Sequence, residues 1–173
     1  MSAAGQGGMR DPFPGLEHLG SATPFVGRIQ EIIQHIHLFE DFEAEEIAAL
    51  ARDLVCYRAP AGAVIIREGD QGDFMLIVLD GQCEIVKNDP TGVPKRIGLA
   101  GPGKTLGEMS MIDGEPRFAS CVALEDTLFA MLDRDSLSHI IAGDPRLGIK
   151  ILMDRTSPCG VPRAAPGSAR PPA

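Results

Sequence analysis

Between Val55 and Leu132 glycine cuts the chain into short apolar runs, and that punctuation constrains the fold more than any other feature. Val55-Cys56-Tyr57-Arg58 reads as a strand, and Pro60-Ala61-Gly62 turns it into Ala63-Val64-Ile65-Ile66. The turn Arg67 to Asp73 leads to Phe74–Leu79, the most apolar strand. Asp80-Gly81 is a hairpin signal. Gln82 to Lys87 alternates, with Cys83 and Ile85 on one face and Gln82 and Glu84 on the other. Arg96–Leu99, Cys121–Leu124 and Leu128–Leu132 complete the set. About seven or eight strands at a spacing of roughly 8–12 residues predict an antiparallel sandwich or jelly roll, not alternating βαβ units.

Helical periods flank these strands. Phe25, Ile29, Ile32, Ile33 and Ile36 share one helical face. Ile47, Leu50, Ala51 and Leu54 form a second, with Glu43, Glu45 and Glu46 at its electropositive start. After the strands, Asp133 is an N-cap for a helix with Leu137, Ile140 and Ile141 inward and Gly143 as its stop. Asp144-Pro145 starts a last helix that runs to about Asp154, with Leu147, Ile151 and Leu152 apolar. The resulting plan is a disordered leader over 1–24, N-terminal helices over 25–54, the strand domain with its C-terminal helices over 55–154, and a disordered Pro-rich tail over 155–173. With no Trp and one Tyr, the core rests on aliphatic residues, Met and Phe.

Charge and cysteine usage exclude some functions. A net charge of -8 argues against a nucleic-acid binder, whose phosphate contacts need a basic face. One local arginine still suffices for a small phosphate ligand. No apolar run approaches the roughly 20 residues that cross a bilayer, and the first 20 residues show no secretory signal. The four cysteines, Cys56, Cys83, Cys121 and Cys159, lack CxxC spacing and read as reduced thiols of a cytoplasmic protein.

Two motifs compete for attention and fail on context. Gly98 to Thr105 fits the phosphate loop G-x-x-x-x-G-K-T, which would make the chain a nucleotide hydrolase. Gly107, Gly114 and Pro116 interrupt the helix such a loop must open, and Pro102 removes an amide from the cradle. Lys104 therefore reads as a turn lysine. His35-Ile36-His37 has metal-ligand spacing but lies on a helical pattern, and no further histidine occurs before His139. Neither a metal site nor a catalytic Ser/His/Asp or Cys/His set is expected.

The loop within Leu106–Ala123, LGEMSMIDGEPRFASCVA, is where several requirements coincide. Gly107 lets a backbone approach a ligand closely. Met109 to Ile112 can form one helical turn whose free N–H groups face an anion. Arg117 can bond a phosphate through two parallel donors, with Pro116 stiffening its approach. Glu108 can accept from a sugar hydroxyl. On spacing alone, a surface turn with a Glu108–Arg117 ion pair is equally compatible.

From about Phe39 to Leu152 the sequence resembles the cyclic nucleotide-binding domain family, which includes the catabolite activator protein and protein kinase A regulatory subunits. The residues that carry the resemblance are Gly62 with Val64-Ile65, Arg67-Glu68-Gly69-Asp70, Asp80-Gly81, Gly101-Pro102-Gly103, Leu106-Gly107-Glu108 and Pro116-Arg117 before Ala119-Ser120. The resemblance implies a mainly β fold, an antiparallel jelly-roll barrel with N-terminal helices and a short C-terminal helical lid. It also implies roles. Glu108 resembles the carboxylate that takes the ribose 2′-hydroxyl, and Arg117 the guanidinium that pairs the cyclic phosphate. Gly107, Met109, Ser110 and Phe118 occupy positions whose backbone amides line the sugar-phosphate, and Ala119 and Ser120 carry the loop into the next strand. Many relatives that lost ligand binding lack the Arg or the Glu, and this chain has both.

Two departures from the family pattern bear on specificity. Phe118 stands where Ala, Ser or Thr is usual. It cannot make the guanine bond a Thr makes, which favours cyclic AMP over cyclic GMP. The last helix is short, and no DNA-binding or kinase segment follows in the sequence. The implied function is a non-enzymatic cyclic nucleotide sensor without a fused effector or cofactor, with an effector protein or a second copy as partner. The alternative is a protein-interaction domain that keeps the fold without binding nucleotide.

Overall fold

The computed structural model describes residues 11–32 and 42–153. The His35/His37 pair, Ile33, Ile36 and the 155–173 tail lie outside the described residues. Two antiparallel sheets face each other. One has the order β1-β2-β9-β4-β7 and the other β3-β8-β5-β6. In chain order the strands are β1 (Glu17–Ser21), β2 (Val55–Ala59), β3 (Val64–Ile66), β4 (Phe74–Asp80), β5 (Cys83–Asn88), β6 (Pro94–Ala100), β7 (Thr105–Leu106), β8 (Ser120–Ala123) and β9 (Thr127–Asp133). The helices are α1 (Val26–Ile32), α2 (Ala44–Asp53), α3 (Glu108–Asp113), α4 (Arg134–Gly143) and α5 (Pro145–Met153). This is the mainly β, antiparallel class with flanking helices that the glycine-punctuated pattern predicts.

Strand composition follows from how many faces are buried. β4 is continuously apolar because both of its faces are covered. Leu76 and Val78 join Tyr57, Phe129 and Met131 between the sheets, where they meet Ile66, Cys83, Ile85 and Cys121 of the opposite sheet. Met75, Ile77 and Leu79 point the other way and pack with Ile29, Leu50, Leu137 and Ile140 of the helices. β5 has one core face, so Cys83 and Ile85 are buried while Glu84 between them is half-buried. Helix starts also follow the sequence: Asp133 Oδ1 accepts from Ser136 N at 2.6 Å, and Asp144 Oδ1 from Leu147 N at 3.2 Å.

Two expectations need correction. Part of the stretch read as a disordered leader is ordered, since β1 pairs antiparallel with β2 and Phe13 is buried in the core. Glu17–Ser21 lacks apolar alternation because it is an edge strand held by its backbone ladder, with a register shift between His18 and Gly20. Next, Asp80-Gly81 does not close a hairpin between paired strands. β4 pairs with β7 and β9, whereas β5 pairs with β6 and β8, so this turn carries the chain from one sheet to the other. The phosphate-loop motif, already set aside on its sequence context, falls across two strands. Gly98-Leu99-Ala100 belongs to β6 and Thr105-Leu106 to β7. The Gly103 N–H is committed to Val78 O at 2.8 Å, and Lys104 is exposed.

Candidate functional site

β7 delivers the chain to Gly107, whose φ of +83° is left-handed, and α3 begins at the next residue. The helical turn expected at Met109–Ile112 is present and extends over Glu108–Asp113. It stops at Gly114, also left-handed at φ +76°. The chain then runs without helix or strand through Pro116 and Arg117 into β8. Two backbone hydrogen bonds clamp Arg117 to the turn before β4. Gly69 N donates to Arg117 O at 2.8 Å, and Arg117 N donates to Asp70 O at 2.8 Å. That turn is the backing plate of the site.

The Arg117 side chain points inward and is only 4 % exposed. Nη1 donates to Gly107 O and Nη2 to Phe74 O, each at 2.7 Å. The guanidinium carbon lies 4.3 Å from the centroid of the Phe74 ring. The group fits because two neighbours lack side chains. A Cβ at Gly72 would stand 2.3 Å from Nε and Nη2, and one at Gly107 would stand 2.3 Å from Nη1. Burial pulls the Arg117 pKa down, while the charges of Asp73 and Glu108 push it up. An arginine starts so high that it stays cationic here. Arg117 thus places a full charge in a nearly closed site with two of its five N–H donors on carbonyls.

The other predicted site residues surround this guanidinium unequally. Glu108 is half-buried at the start of α3, close enough for its charge to act on Arg117. Ser110 is buried, and Ala119 packs partly into the inter-sheet core. The Ser120 hydroxyl accepts from Glu68 N at 2.9 Å. Met109 and Phe118 face outward at 60 % and 59 % exposure, and Ile112 is exposed as well. Lys87 donates to Phe118 O at 2.7 Å and to Glu68 Oε1 at 3.1 Å.

Sequence reasoning missed Gly72, Phe74 and Lys87. Gly72 read as one more turn glycine, Phe74 as the first residue of an apolar strand, and Lys87 as the end of an alternating one. Nothing local distinguishes them, because each acts on a residue between 31 and 45 positions away. A cavity of about 540 Å³ opens beside Phe74, lined in part by Asp11, Pro12, Tyr57, Asp73 and Phe74. Glu108 and Arg117 do not line it, so the volume and the charged site are separate features joined by Phe74. Among the described residues no group of three or more His, Cys, Asp or Glu could hold a metal ion, and no helix is long and apolar enough to cross a membrane.

Known proteins match the chain across this region. The model of the cyclic nucleotide-binding domain family matches residues 57–144. A crystal structure of a cyclic nucleotide-binding domain from Methylobacillus flagellatus is 43 % identical, with a TM-score of 0.75 over 83 % of this chain and 81 % of that one. The CRP-like cAMP-activated global transcriptional regulator of Mycobacterium tuberculosis is 30 % identical over 124 residues, which is 72 % of this chain and 55 % of the regulator. The cAMP-dependent protein kinase regulatory subunit of Aspergillus niger is 31 % identical over 112 residues, 65 % of this chain and 26 % of the subunit. The chain therefore spans about half or less of these two curated relatives. A transcriptional regulator among them also means that net charge alone does not exclude a nucleic-acid partner.

Proposed function

The chain belongs to the cyclic nucleotide-binding domain family, and from that premise we propose that it is a regulatory module that binds cyclic AMP in preference to cyclic GMP. The observation that carries this reading is the buried Arg117, held between Gly72 and Gly107 with donors to spare beyond Gly107 O and Phe74 O. A cyclic phosphate is a compact anion that such a fork accepts through parallel charge-assisted bonds. Glu108, at the start of α3 beside it, takes the ribose hydroxyl. The backbone N–H groups of Gly107, Met109, Ser110 and Phe118 complete the grip on the sugar-phosphate. Phe118 offers an exposed ring to the base and no hydroxyl to a guanine, so cyclic AMP is the better partner. Ala119 and Ser120 hold the loop's exit in register. Binding in this reading is regulatory, not catalytic, and acts as a population shift set by differential affinity for two conformations.

A thermal-shift panel with cyclic AMP and cyclic GMP tests the reading, because a ligand that binds only the folded state raises its stability by mass action. Stabilisation by cyclic AMP at lower concentration than by cyclic GMP is the expected result. No shift with either nucleotide at millimolar concentration would refute it. One observation favours a second reading, a protein-interaction role: Met109, Ile112 and Phe118 are large apolar side chains, each more than half exposed. Absence of any nucleotide effect together with a partner whose binding is lost on replacing these side chains would favour it.

A further inference from the structure

Phe13 lies ahead of β1, in the stretch the sequence assigns to a leader, yet it is only 4 % exposed. Its ring stands edge-on to Tyr57, Phe74 and Phe129, at centroid distances of 4.9, 5.0 and 5.2 Å. The segment is fastened at the same place. Asp11 Oδ1 accepts from Phe13 N at 3.0 Å and from the Tyr57 hydroxyl at 3.2 Å, and Leu16 N donates to Phe13 O at 3.1 Å. Edge-to-face geometry fixes the orientation of both rings in a pair, not merely their contact. One partner of Phe13, Phe74, is the ring that stacks on the Arg117 guanidinium. Phe74 also borders the 540 Å³ cavity, so packing there does not by itself hold the ring.

We propose that Phe13 is a positioning residue for Arg117, acting through the Phe74 ring, so that the segment before β1 sets how tightly the site holds a cyclic nucleotide's phosphate. This rests on the phosphate-binding reading of Arg117. The physical basis is preorganisation. A guanidinium already seated on a fixed ring loses less freedom when an anion arrives. Without Phe13, the Phe74 ring turns toward the cavity and Arg117 loses its stacking surface, while its two carbonyl bonds remain.

The test uses Phe13→Leu, which keeps apolar volume but removes the edge-to-face contacts, and Phe74→Leu, which removes the intermediate ring. Calorimetry should show cyclic AMP binding about three- to tenfold more weakly to each, the range expected for one aromatic pair. In an Arg117→Lys background, Phe13→Leu should cause little further loss, because the stacked guanidinium is already gone. An equal loss in both backgrounds marks Phe13 as merely structural and overturns the proposal, as does unchanged affinity of Phe13→Leu. A readout without ligand separates this failure from that of the functional reading. The Arg117 Nε–H resonance of the free protein, shifted by the Phe74 ring current, should move in Phe13→Leu. If it does not move, the proposal fails even if the wild-type protein binds cyclic AMP; if the wild-type protein binds neither nucleotide, the phosphate-binding reading fails and takes the proposal with it.

Discussion

Lys87 holds its ammonium 3.9 Å from the centroid of the Phe118 ring and donates to the same residue's carbonyl oxygen at 2.7 Å. The same nitrogen reaches Glu68 Oε1 at 3.1 Å, while Glu68 Oε2 accepts from Asn88 N at 2.8 Å. One cation thus ties β5, the turn before β4 and the exit of the candidate phosphate loop. It also orients the ring that would meet a base.

Replacing Lys87 with Met removes the cation and keeps much of the aliphatic stem. The exposed cation–π contact alone is worth about 0.5–1 kcal/mol, so a small loss of stability in chemical denaturation is expected. A second consequence is electrostatic. The Asn88 N–H, then Lys87, hold the Glu68 carboxyl below its usual range. In Lys87→Met its titration should move up toward that range, measured by carbon NMR across the acid limb. An unmoved Glu68 would mean that Asn88 alone sets its charge.

Arg117→Ala should weaken cyclic AMP binding about tenfold to hundredfold, the equivalent of charge-assisted contacts of about 1.5–3 kcal/mol. It should also destabilise the free protein by about 1–3 kcal/mol, because the carbonyls of Gly107 and Phe74 lose their donor. Calorimetry well below the variant's melting temperature separates the two effects. Equal affinity in wild type and variant would remove Arg117 from the site.

Gly72→Ala tests the site without touching a predicted ligand contact. Gly72 is not among the residues of positive φ, so alanine fits its backbone. Its Cβ, however, would meet the guanidinium at 2.3 Å. The flexible arginine yields first. The expected outcome is a loss of stability no larger than that of Arg117→Ala, with cyclic AMP affinity reduced about tenfold. A retained affinity would show that Arg117 binds from a different rotamer.

Glu46 and Lys150 join α2 to α5 at 2.7 Å, and Glu46 Oε2 also accepts from Glu43 N at 2.9 Å. Lys150 first, then the Glu43 N–H, lower the Glu46 pKa. A carboxylate whose folded pKa is depressed stabilises fully above its unfolded pKa and loses that contribution as pH falls through the folded value. Glu46→Gln should therefore cost less than about 1 kcal/mol at neutral pH, as expected for a solvent-screened pair. The difference from wild type should shrink as pH falls below the usual carboxylate range in parallel urea titrations. A difference that persists at low pH would point to packing, not charge.

How much of this was legible before folding varies by residue. The alternation of Cys83, Glu84 and Ile85 and the double-sided apolarity of Phe74–Leu79 are local signals, and the burial of these strands follows them. So does the cap at Asp133. The Gly107–Arg117 spacing identified the loop, but it left a surface ion pair as an equal alternative. Burial of Arg117 at 4 % removes the surface part of that alternative.

Sequence alone determined the strand class, the helical faces and the loop that carries Glu108 and Arg117, because periodicity and turn chemistry act over a few residues. Tertiary structure alone decided that Asp80-Gly81 crosses between sheets, that Glu17–Ser21 is a strand and that Phe13 packs on Phe74. It also decided what supports Arg117: the Phe74 carbonyl and ring 43 positions away, and the bare backbone of Gly72. A guanidinium's partners are chosen by which carbonyls, rings and empty volumes the packed sheets bring to it, and such long-range placement leaves no periodic trace in the chain.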